Sequence, residues 1–165
     1  MKNYILALLI SVPVYVGVIG AHAAPQRNKL PAANGHSLYQ YITHTHPYVK
    51  WSLWPGTNKY YPGTRPHGAL LTTYVNQAAL KGIQDQRSNL ADRAIIVKEN
   101  YTPDKTLKVV TVIYKKAGFN SKAKDFFWLK YAPDGKILAS GKVPSCIGCH
   151  RTAQGSDFLF TNDKK

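Results

Sequence analysis

Methionine is almost missing from this chain. The one copy among 165 residues is Met1, so the body of the sequence has no thioether to offer a soft metal. Cysteine is nearly as scarce. Cys146 and Cys149 are the only two, which excludes a scaffold stapled by several disulfides and a zinc site built from four cysteines. Acidic side chains number 8 against 22 lysines and arginines, a formal charge of +14. No apolar run after residue 23 is long enough to span a bilayer. Internal repeats and low-complexity tracts are also missing.

The N-terminus has the form of a leader. Lys2 supplies the positive charge, residues 4–19 are nearly all apolar, and Ala21-His22-Ala23 is a small-x-small cleavage site. Residues 1–23 therefore read as a signal peptide cut after Ala23, with a periplasmic or otherwise exported product and no membrane span once the leader is gone. Pro13 and Gly17 interrupt the apolar run and no charged stop-transfer follows, so an uncleaved anchor is the weaker reading. Residues 24–35 read as a flexible lead-in. Residues 36–165 read as one domain with a single core, since about 140 residues remain after cleavage.

Loss of Lys2 leaves +13 on the mature chain. The basic residues are scattered (Lys50, Lys59, Lys81, Lys108, Lys122) and not bunched in one arm. That argues against nucleic acid and fits a solvated basic surface or an acidic redox partner protein.

Both cysteines lie in Cys146-Ile147-Gly148-Cys149-His150. C-x-x-C-H is the attachment signal for c-type haem. Two thiols at this spacing reach the two vinyl groups on one side of a porphyrin, and His150 then ligates the iron from the proximal side. The expected cofactor is one covalent haem c. Zinc is disfavoured because further ligands are lacking, and a thioredoxin-like dithiol is disfavoured by the position near the C-terminus. A simple disulfide stays open in an exported chain. Export and haem attachment support each other, because bacterial c-type haem is attached outside the cytoplasm.

With Met1 lost in the leader, a His/Met electron-transfer haem is excluded. Two options remain for the other side of the iron. One is a second histidine, from His36, His44, His46 or His67, giving a bis-histidine haem. The other is an open or water-occupied distal site, which is the favoured reading because a lone His is more often a surface or supporting residue.

The periodicity predicts an α+β domain, mostly antiparallel β. A short helix over 38–43 is capped by Ser37 and stopped by Pro47. A loop over 49–61 is pinned by Trp51 and Trp54, read as core aromatics. Strands follow at 69–75, 93–101, 107–116, 125–131 and 136–139, with a helix over 77–84 capped by Asn76. This makes a meander of four to five strands, with helices at the front and a haem-bearing helical segment at the end. Strand alternation puts Ile96, Lys98 and Asn100 on one face and Ile95, Val97 and Glu99 on the other. Lys98 is then either solvated or aimed at something specific, and the pattern favours the solvated face.

Several stretches in order resemble the cytochrome P460 family and its relatives, the β-type cytochromes c′. They are Pro66-His67-Gly68, Tyr74-Val75-Asn76, Val97-Lys98-Glu99-Asn100-Tyr101, Thr111 to Lys115, Asp125 to Tyr131, Pro133-Asp134-Gly135 and the C-x-x-C-H. The resemblance covers most of the mature chain. It implies a five-coordinate c haem on His150, and it places Lys98 where cytochrome P460 has a lysine bonded to a haem meso carbon. Members with that bond resemble hydroxylamine oxidases. The β-type cytochromes c′ lack it and bind nitric oxide and related gases. Relatives of this kind are often dimers, which makes a homodimer an expectation without a legible interface. The chain departs from the hydroxylamine-oxidising pattern at two places. Leu71 stands where the family has a distal arginine, and no Asp or Glu occurs around Tyr114 and Lys115, where a distal carboxylate is expected as proton acceptor. A small-molecule substrate or a gas at the distal face fits either kind of member.

Overall fold

The computed structural model describes residues 30–87, 89–153 and 156–160. The expected leader over residues 1–23, residues 24–29 of the expected lead-in, and the C-terminal residues 161–165 lie outside the described residues. Among the described residues no helix is long and apolar enough to cross a membrane.

Among the described residues the framework is a seven-stranded sheet, all of whose pairings are antiparallel. Its long members are β3 (Leu70–Val75), β4 (Ile95–Tyr101), β5 (Leu107–Lys115), β6 (Phe126–Tyr131) and β7 (Ile137–Gly141), paired in that order. β-Branched and aromatic residues fill the centres of β3, β5 and β6, which are largely buried, whereas the edge strand β7 is mostly exposed. Two further strands were unforeseen: β1 (Ser52–Leu53) and β2 (Tyr61–Pro62) both pair with β3, within what the sequence suggests is a loop. Two-residue strands carry no period, so only their pairing reveals them.

Helix α1 (Gly35–Gln40) runs on as a π-helical turn over Tyr41–Thr45. Its cap is Asn34 rather than Ser37: the Asn34 side chain accepts a hydrogen bond from the Ser37 amide at 2.8 Å. Two cap-competent residues stand three apart, and the earlier one takes the position. Helix α2 (Gln77–Gln84) is capped by Asn76 as expected, and Asn76 Oδ1 also accepts from the Ile95 amide, tying helix to sheet. Helix α3 (Pro144–His150) starts with a proline in its first turn, where a missing N–H costs nothing.

The sheet separates two cores. One face packs Tyr74, Ile95, Val97, Val112, Tyr114, Phe127 and Leu129 against Leu38 and Ile42 of the first helical segment. The other packs Val75, Ile96, Ile113, Phe126 and Trp128 with Trp54, Ala79 of α2 and Leu159, and Cys146 and Ile147 of α3 lie against it. The second face carries the site.

Candidate functional site

Strand register builds the floor of a cavity on the second face. Thr73 of β3 lies opposite Lys98 of β4, and Lys98 opposite Thr111 of β5. The next row holds Ile96, Ile113 and Trp128. Trp54, Tyr61, His67, Cys146, His150, Leu159 and Phe160 also line the cavity. The lining is mostly apolar. No Asp or Glu is among the described residues that line it.

Lys98 corrects the pattern-based expectation. It is half-buried and faces this cavity, not open solvent. Alternation assigned its face correctly, but both faces of β4 are covered, and periodicity alone does not tell a solvated face from a cavity.

Cys146 and Cys149 sit one turn apart on α3 as free, half-buried thiols. Burial pushes the Cys146 thiol above its ordinary value. His150 Nδ1 lies 2.8 Å from the Phe158 carbonyl oxygen. A carbonyl only accepts, so Nδ1 carries the proton and Nε2 is left with its lone pair. Burial lowers the His150 pKa, partly opposed by that bond, and the nearby Lys98 charge lowers it further. The imidazole packs on Trp128, with ring centres 4.7 Å apart, and on Phe160.

The carbonyl that orients His150 is itself held in place. Asp157, next to Phe158, accepts from Lys115 Nζ at 2.6 and 2.8 Å and from the Leu90 amide at 2.7 Å. Asp157 is 1% exposed at its side chain and Lys115 12%. The sequence gives no sign of this pair, which joins residues 42 positions apart.

The four remaining candidate histidines separate cleanly. His36 and His44 are exposed, and His46 lies beside Tyr41 in a different cleft. His67 alone of the four lines the cavity, with its ring centre 6.3 Å from that of His150. Its Nδ1 is 2.9 Å from Asn100 Oδ1. Burial first, then the Lys98 charge, hold its pKa down at about 4.

Leu71 is buried on β3, opposite Asn100. Tyr114 points into the other core and Lys115 is engaged with Asp157, so neither position brings a carboxylate to the cavity. Trp54, read as a core aromatic, both packs in the core and lines the cavity. Tyr61, whose hydroxyl is 2.6 Å from Thr73 Oγ1, went unnoticed because its loop shows no motif.

Two thiols one helical turn apart, an imidazole with a bare Nε2, and broad apolar walls are the donor set and surface that a covalently held haem requires. The residues fit that group. Fold and site thus define a cofactor-binding protein built on an antiparallel sheet, with haem-type donors on its last helix. The family model for Cytochrome P460 matches residues 48–161. The chain belongs to the cytochrome P460 family, and with that membership it is a haem protein of the oxidoreductase kind. No curated protein matches the chain.

Proposed function

We propose that the protein is an exported mono-haem c-type cytochrome whose distal haem face takes hydroxylamine or nitric oxide. The observation that carries this reading is that Lys98 lines the same cavity as Cys146 and His150, although it is far from them in sequence. The haem supplies the redox-active iron. The chain does the rest. Cys146 and Cys149 would hold the ring against α3 through thioether bonds, each S–H adding across one vinyl group. His150 would offer Nε2 to the iron, and the Phe158 carbonyl holds the ring's orientation. The apolar walls exclude water, which strengthens every polar interaction inside. Lys98 supplies an amine for a bond to a ring meso carbon. Such a bond would replace one N–H of Lys98 and one meso C–H, a two-electron oxidation that would need an external oxidant such as peroxide.

A second reading is favoured by the lining itself. With no carboxylate among the described residues of the cavity, it lacks the usual acceptor for the protons of hydroxylamine. It suits a neutral diatomic gas, as in the β-type cytochromes c′. The basic surface is suited to an acidic redox partner in either case.

The optical spectrum of the reduced protein separates the readings. The crosslinked enzyme shows a red-shifted Soret band, and Lys98→Ala restores an ordinary c-haem spectrum. An ordinary spectrum in the unsubstituted protein contradicts the crosslink and leaves the gas-binding reading.

A further inference from the structure

The hydrogen bonds around Asn100 determine the protonation of His67. Asn100 is 2% exposed. Its Nδ2 donates to the Lys98 and Val109 carbonyls at 2.9 and 3.2 Å, and Thr111 Oγ1 lies at 3.3 Å. With the amide nitrogen committed to carbonyls, Oδ1 must be the atom facing His67. The Gly68 amide donates to the same oxygen at 3.2 Å, which agrees. His67 Nδ1 is therefore the donor, and its Nε2 keeps the lone pair.

The ring has little freedom to move. A Cβ on Gly68 would come within 2.6 Å of the backbone N and O of Tyr101, so residues 67–68 lie tight against β4 at a place only glycine fits. The Asn100 side chain holds the ring, and the adjoining β4 backbone seats Gly68 beside it.

The cavity thus contains two imidazoles of the same kind. Each has its Nδ1–H tied to a protein oxygen and its Nε2 bare, which is how proteins prepare histidine for a metal. Two imidazoles on opposite sides of one metal, with bonds of about 2 Å each, hold their ring centres roughly 6 Å apart. The ring centres of His67 and His150 are 6.3 Å apart.

We infer that His67 is the second axial ligand of the haem iron, so that the resting site is closed and a gas or hydroxylamine must displace an imidazole to enter. This rests on the haem reading above and departs from the open distal site that the family resemblance implies. It gives Asn100 a positioning role, since it fixes which nitrogen of His67 is free.

The test uses the intact exported protein. Denatured mass first establishes whether haem is covalently present; its absence overturns the haem reading and this inference together. With haem present, optical and electron paramagnetic resonance spectra of the ferric and ferrous forms are compared with those of His67→Ala. The expected result is a low-spin, six-coordinate haem that becomes high-spin in the variant, binds carbon monoxide at least tenfold faster, and regains the low-spin spectrum on adding free imidazole. His67→Phe keeps the ring volume and gives the same readout if the alanine variant does not accumulate. A high-spin haem in the unsubstituted protein overturns the inference while leaving the haem reading intact. So does a low-spin haem that stays low-spin without His67.

Discussion

Asp157 shows how one side chain far from any motif can govern the site. Its carboxylate neutralises the buried Lys115 ammonium, caps the Leu90 amide, and positions the neighbouring Phe158 whose carbonyl orients His150. Removing one partner of a buried ion pair leaves an uncompensated charge, which costs about 3 kcal/mol. Asp157→Asn is therefore expected to lower the unfolding free energy by about that amount in a denaturant titration, whereas a loss within ±0.5 kcal/mol, usual for a surface change, would contradict the role. Lys98 teaches a related lesson at the same scale. Its identity and its face were legible from the sequence, but its environment was not. What covers that face arrives from Trp54, His67 and the C-terminal segment, all distant in sequence.

At the scale of elements, β4 organises the protein because its two faces do different work. Ile96, Lys98 and Asn100 serve the cavity, while Ile95, Val97 and Glu99 serve the opposite core. On that opposite side Glu99, 7% exposed, accepts from Tyr48 and Tyr101 hydroxyls at 2.8 and 2.6 Å. Burial, with the Glu99 charge adding to it, pushes Tyr74 up to about 12 and holds Tyr48 and Tyr101 well above the ordinary tyrosine value; burial does the same for Tyr131. These phenols are held neutral in the fold and ionise near pH 10 once unfolded. Their folded values are raised, so the stability they contribute is complete below about pH 10 and is lost as pH climbs past it. Phenolate absorbance should thus rise for this group only together with loss of the sheet's circular dichroism. Titration of every tyrosine near pH 10 with the sheet intact would show that the cluster is not buried in solution.

The long strands, α2 with its Asn76 cap, and the helical C-x-x-C-H segment were legible because each is specified by local pattern. The elements that escaped notice, β1 and β2, and the bonds from His67 to Asn100 and from Lys115 to Asp157, depend on partners 8 (Pro62 to Leu70) to 42 (Lys115 to Asp157) residues away. Such contacts are set by tertiary closure and leave no period or spacing behind.

The whole molecule is a sheet with one closed core and one core that opens into a cavity. Among the described residues, the cavity brings together the Cys146 thiol, the two imidazoles of His67 and His150 and the Lys98 amine, with Cys149 one turn along α3 from Cys146. Its strong positive charge surrounds an apolar interior, an arrangement suited to small neutral or weakly charged ligands at the site and to acidic protein partners at the surface. The central claim is that this cavity is built for a haem fixed to α3. The most direct measurement is mass spectrometry of the purified protein, denatured and then digested. One haem retained on the peptide spanning Cys146 to Cys149, and lost in the Cys146→Ala, Cys149→Ala double variant, is the predicted result. A denatured mass equal to the bare chain, with the two cysteines unmodified or joined to each other, would contradict it.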